Sequence, residues 1–167
     1  MTHEILKWLH DTPLGEVTRA NSWLFTAGLV VHFIGLCLLM GVMLVVDLRL
    51  LGVGKRAPIG AVLSLLPLAV FGFALNLSSG IMFFCFDAFG FWANPAFKVK
   101  FVLLTLAGVN ALWFTLVEHR KLAATAPGAT TDVATKISAA ASLILWFAII
   151  LFGRLIVAFQ GSTSFFT

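Results

Sequence analysis

Four long stretches of this chain carry almost no formal charge, and that feature decides what it can fold into. Trp23–Val46, Ile59–Phe86 and Phe101–Val117 contain no Asp, Glu, Lys or Arg, and Ile137–Phe159 contains only Arg154. At ~1.5 Å per residue in a helix, each is long enough for a hydrocarbon core of about 30 Å, or becomes so when the flanking Lys98 and Lys100 extend their stems to the interface. Only 11% of the residues are charged, against about 25% in an ordinary soluble domain. Four such runs in 167 residues leave no polar shell to hold the chain in water. A disordered chain, a nucleic-acid binder and most soluble enzymes are excluded.

The expected fold is all-α: an integral membrane antiparallel four-helix bundle with spans at about 23–46, 59–86, 98–117 and 137–159. Residues 1–22 form an extramembrane or interfacial segment, and 160–167 a tail. Ile5, Leu6, Trp8 and Leu9 suit a short interfacial helix ending before Pro13, or a loosely ordered tail. Pro67 predicts a kink in the second span, because it cannot donate to the carbonyl near residue 63. The stretch from Phe83 to Lys100 holds six Phe and one Trp and reads as an aromatic belt with a short in-plane helix. The net charge of +4 is scattered over connecting segments, which suits lipid headgroups and not nucleic acid. The bilayer is the first partner; a second copy or another membrane protein is the next. The connections holding Arg49, Lys55, Arg56, Arg120, Lys121 and Lys136 are slightly richer in cations than the side holding Lys7, Arg19, Lys98 and Lys100. That bias puts both termini outside the cytoplasm.

Polar residues inside the spans are the candidate functional groups. His32 lies about 13 Å into the first span, with Gly28 and Gly35 one turn to either side. The glycines leave room for a flat cofactor or for a close neighbouring helix. Asn110 is expected at a similar depth, so a His32–Asn110 contact follows. Gly72, Asn76 and Gly80 form a four-residue stripe of helix-contact type. Asp47 and Arg49 close the first span, and Glu118, His119 and Arg120 close the third at the same side. Glu118–Arg49 and Asp47 with Arg120 or His119 are the candidate pairs of a salt-bridge clamp. Arg154 is expected to pair with Asp87, or to meet an anion, quinone or cofactor propionate. Ser78, Ser79 and Ser142 read as ordinary helix hydroxyls. His119 falls ~18 Å from the depth of His32, too far for one haem iron to take both. His32 and Cys37 face apart on a helix and cannot share a metal. The absence of tyrosine excludes phenolic chemistry.

Two segments, VVHFIGLCLLMGVMLVVDLRLLG (30–52) and NPAFKVKFVLLTLAGVNALWF (94–114), resemble a group of uncharacterised small bacterial inner-membrane proteins. Those share a first-span histidine, a glycine soon after it and an Asp-x-Arg terminus. The group is distantly similar to the membrane domains of copper-resistance D proteins and to cytochrome b561-like bundles. The resemblance implies a multi-pass protein of the bacterial inner membrane. Its remoter branches imply copper handling or haem-based electron transfer, with His32 as the ligand that carries over. Cytochrome b561-like proteins use several membrane histidines, whereas this chain has one deep and one terminal. A copper site would draw on Met40, Met43, Met82 and Cys85. Three functions follow: an accessory or scaffold component; a redox or metal-handling protein binding haem, quinone or copper near His32; and a small-solute or proton pathway lined by His32, Asn76 and Asn110.

Overall fold

The computed structural model describes residues 1–118, Leu122 and 130–163, apart from the side chains of Glu118 and 160–163. Among the described residues the protein is all-α with no strand. Two short helices, α1 (Thr2–His10) and α2 (Pro13–Ala20), precede α3 (Ser22–Leu50). Next come α4 (Ile59–Leu63), α5 (Leu66–Phe86) and the short α6 (Ala88–Ala93). Then α7 (Pro95–Trp113) runs into a π-turn at Phe114–Glu118, and α8 (Val133–Thr163) completes the fold. Four units are long and apolar enough to cross a membrane: α3, α4–α5 together, α7 with its π-turn, and α8. The chain is a multi-pass membrane protein built as a four-helix bundle. Large apolar side chains lie exposed along these helices, including Phe33, Val70, Phe101, Ile144 and Leu151. In a bilayer that surface faces lipid tails.

Each terminus has a local cause. Helix α3 runs through Asp47 and Arg49 and ends where Gly52 adopts φ +100°. The Val53 N–H then reaches back to the Leu48 carbonyl at 2.9 Å, a Schellman-type stop that a left-handed glycine permits. Between α4 and α5 the backbone tightens, with Leu65 N–H donating to Val62 O at 3.2 Å. Pro67 lies just beyond and has no N–H to continue the ladder. Asn94 starts α7: its Oδ1 accepts from Ala96 N–H at 3.0 Å, and its Nδ2 donates to the Ile156 carbonyl of α8 at 3.0 Å.

Helix α3 packs most extensively on α5, and α7 on α8. The two pairs are joined mainly through α3 and α8, while α5 and α7 meet where the Phe84 ring stacks on that of Phe97, centroids 5.1 Å apart. The N-terminal segment is two docked helices. The Arg19 guanidinium donates to the Cys85 and Phe86 carbonyls at 3.0 and 3.2 Å, and to the His10 carbonyl at 2.6 Å. It thus places a cation on the carbonyl end of α5, where the helix dipole favours one. Gly15 sits under this contact; a Cβ there would lie 2.7 Å from the Cys85 oxygen. Trp8, Trp23 and Trp92 are exposed around the same end, as an interfacial belt requires.

Candidate functional site

The polar residues of the spans form two separate levels. The first lies in the α3–α5 seam. His32 Nδ1 is 2.9 Å from Ser79 Oγ, and the Asn76 amide donates to the His32 carbonyl at 2.9 Å. Ser79 Oγ also lies 2.7 Å from the Leu75 carbonyl and 3.0 Å from that of Asn76. Ser79 has one hydroxyl proton for these three neighbours, and the imidazole tautomer sets which atom donates in the His32–Ser79 pair. The expected His32–Asn110 contact is not made. The helices approach closely at Gly35 and Gly72, where a Cβ on either would lie 2.7–2.8 Å from the other's carbonyl oxygen.

The room expected beside His32 is filled. Met82 occupies the space over Gly28, and the α5 backbone occupies that over Gly35. The Phe83 ring packs on the imidazole with centroids 5.5 Å apart. A haem plane does not fit against this face. Cys85 is buried under the Arg19 contact and Cys37 is exposed. Among the described residues no three His, Cys, Asp or Glu side chains converge as a metal site would require. Met43 lies at the second level, away from Met82.

That second level is a cavity of about 250 Å³ in the half of the bundle nearest the α3–α4 connection. Leu39 and Val46 of α3, Ala69 and Phe73 of α5, Ala107 of α7 and Trp146 of α8 form much of its wall. Its polar groups are Asp47, Asn110, Thr115, Ser138 and Ser142. Asn110 and Ser138 satisfy each other across α7 and α8: Ser138 Oγ donates to Asn110 Oδ1 at 3.0 Å, and the Asn110 amide donates to the Ser138 carbonyl at 3.1 Å. Phe114 and Thr115 of the π-turn lie at the rim; such widened turns often accompany functional sites. Alongside the cavity the facing residues of α5 and α7 are exposed, whereas nearer α6 the two helices meet through the stacked Phe84 and Phe97 rings. The cavity's lips are exposed residues, Val70 and Phe73 on one side and Gly108, Ala111 and Thr115 on the other.

Asp47 is the outstanding group here. Its residue is only 3% exposed, Ser142 is the side chain that interacts with it, and its Oδ2 has no hydrogen-bond partner. The sequence suggests a span-end carboxylate in a clamp; the helix instead continues past it and turns it inward. Arg49 bonds to the loop that follows its own helix. Its Nε donates to the Ala57 carbonyl at 2.7 Å and fastens the loop after α3. The Glu118 side chain, His119 and Arg120 lie outside the described residues. The Arg154–Asp87 pair is absent: Asp87 caps α6 by accepting from Gly90 N–H at 2.9 Å, and Arg154 is exposed. Arginine's reach lets it stay at the surface, so it needs no buried partner. Lys98 lies 5.8 Å over the Trp92 ring, and Lys100 lies along α8 against Gly153.

Comparison with protein-family models, curated proteins and solved structures finds no match. Arg19, Asn94 and Ser79 are the positions whose weight sequence reasoning missed. Each acts across a long sequence separation, and only the Asn-Pro start of α7 carries a local signal, that of a helix cap.

Proposed function

We propose that this protein binds a small lipophilic molecule drawn from the bilayer into the cavity between its four long helices. The observation that carries this reading is a mostly apolar chamber with exposed rim residues on α5 and α7, two helices of membrane-spanning length. Enclosed apolar cavities of ~150 Å³ accept benzene-sized molecules, so a chamber of about 250 Å³ has room for a substituted ring or a short branched chain. The glycine-packed α3–α5 seam supplies the rigid frame. The excess of Lys and Arg in the connections after α3 and before α8 supports termini on the periplasmic side of a bacterial inner membrane.

Trp146 lines the cavity and is 9% exposed, whereas Trp8, Trp23, Trp92 and Trp113 are all at least 40% exposed. Replacing those four by Phe leaves Trp146 as the sole reporter. Titrating 4-bromotoluene into this protein in detergent should quench Trp146 saturably. Gly108→Leu should block the effect, since open space surrounds the Cβ position at the cavity lip. Non-saturable quenching that Gly108→Leu leaves unchanged would refute the binding reading.

A further inference from the structure

We infer that the cavity's occupant carries a primary ammonium group, received by Asp47; this deepens the binding reading and rests on it. Three observations converge. First, Asp47 is 97% buried by its 3% exposure, lines the chamber, and holds Oδ2 without a partner. A buried carboxylate is stable when a cation meets it with a hydrogen bond. Second, among the described residues no Lys, Arg or His lines the chamber. Arg49, two residues along α3, faces away and donates to the Ala57 and Lys55 carbonyls. Asn110 and Ser138 are occupied with each other. Among the described residues the chamber therefore has an acceptor without the donor that would complete it.

Third, the surrounding wall suits an organic cation with a carbon body. Phe73, Phe114 and Trp146 present aromatic surface, which attracts ammonium groups through the ring quadrupole. The remaining apolar lining accommodates the hydrocarbon part. A phospholipid headgroup would bring a phosphate into a chamber whose lining, among the described residues, holds no cation to meet it. The chemistry points to a free lipophilic primary amine, not an aminophospholipid. An ammonium has three donors, enough for Asp47 Oδ2 and the Ser142 hydroxyl beside it.

The test uses three probes of one shape on the full chain carrying Trp146 as its only tryptophan: 4-bromobenzylammonium, 4-bromobenzyl alcohol and 4-bromotoluene. Half-saturation is compared at equal concentration within the detergent phase, so that partitioning does not enter. The ammonium should saturate the quenching at a concentration at least tenfold lower than the other two. Asp47→Asn should erase that preference while leaving 4-bromotoluene quenching intact, which also shows that the variant is folded. Equal affinities for the three probes in the parent chain would overturn the ammonium assignment, as would a preference that survives Asp47→Asn. Saturable quenching by none of them would sink the binding reading itself. A preference for dioleoylphosphatidylethanolamine in mixed micelles, displacing the benzylammonium probe, would overturn the free-amine assignment.

Discussion

At the scale of single residues, the glycines of the spans differ in what their missing side chain permits. A Cβ at Gly35 would meet the Gly72 carbonyl at 2.7 Å and the Asn76 nitrogen at 2.8 Å, all backbone that cannot yield. At Gly28 it would meet the flexible end of Met82, and at Gly41 it would meet nothing within 4 Å. Gly35→Ala and Gly72→Ala should therefore each destabilise the protein by about 1–3 kcal/mol, the usual range for overpacking. Gly28→Ala should cost less, and Gly41→Ala should be neutral or stabilising by up to about 1 kcal/mol through helix propensity. Unfolding in a graded sodium dodecyl sulfate titration gives the order. A uniform response of the four variants would contradict the close approach of α3 and α5. The spacing of Gly72, Asn76 and Gly80 made a contact stripe legible in the sequence. The identity of the facing residues was not legible, because depth arithmetic cannot tell which of three neighbouring helices a polar group will face. His32 therefore meets Ser79, and Asn110 meets Ser138.

At the scale of elements, the four spans were readable because uncharged length is itself the physical requirement of the bilayer. Their ends were less so. Charge in the sequence suggests the water boundary, yet Asp47 and Lys100 lie within helices that run past them. The N-terminal segment shows the same limit. Its apolar residues suggest an interfacial helix, but its attachment rests on Arg19, a residue visible in the sequence only as a charge. Hydrogen bonds from a charged donor contribute ~1.5–3 kcal/mol each in net terms. Arg19→Ala should thus release α1 and α2 from the end of α5. Hydrogen exchange by mass spectrometry should show residues 2–20 exchanging about tenfold faster or more, with the α3–α5 seam unchanged. Arg19→Lys should fall between, because an ammonium cannot reproduce the planar fork that serves the Cys85, Phe86 and His10 carbonyls together. Equal protection in the parent chain and Arg19→Ala would show that apolar contact alone docks these helices.

At the scale of the whole molecule, four crossings put the two ends of the chain on one side and the α3–α4 connection on the other. In a bacterial inner membrane, with Cys37 and Cys85 replaced by Ser, a cysteine at Thr2 should react with a membrane-impermeant maleimide added to whole cells. One at Gly54 should react only after the cells are opened. The reverse pattern would invert the proposed orientation while leaving the bundle intact. The cavity's exposed rim on α5 and α7 has a consequence for how affinity is to be measured. A rim that faces acyl chains draws on the membrane, not the aqueous phase, as its reservoir. Anything that concentrates in lipid arrives already enriched, and each tenfold of enrichment is equivalent to about 1.4 kcal/mol of apparent binding free energy. A chamber with modest intrinsic grip would still be filled at trace aqueous levels, and its apparent dissociation constant would rise in step with the amount of lipid present.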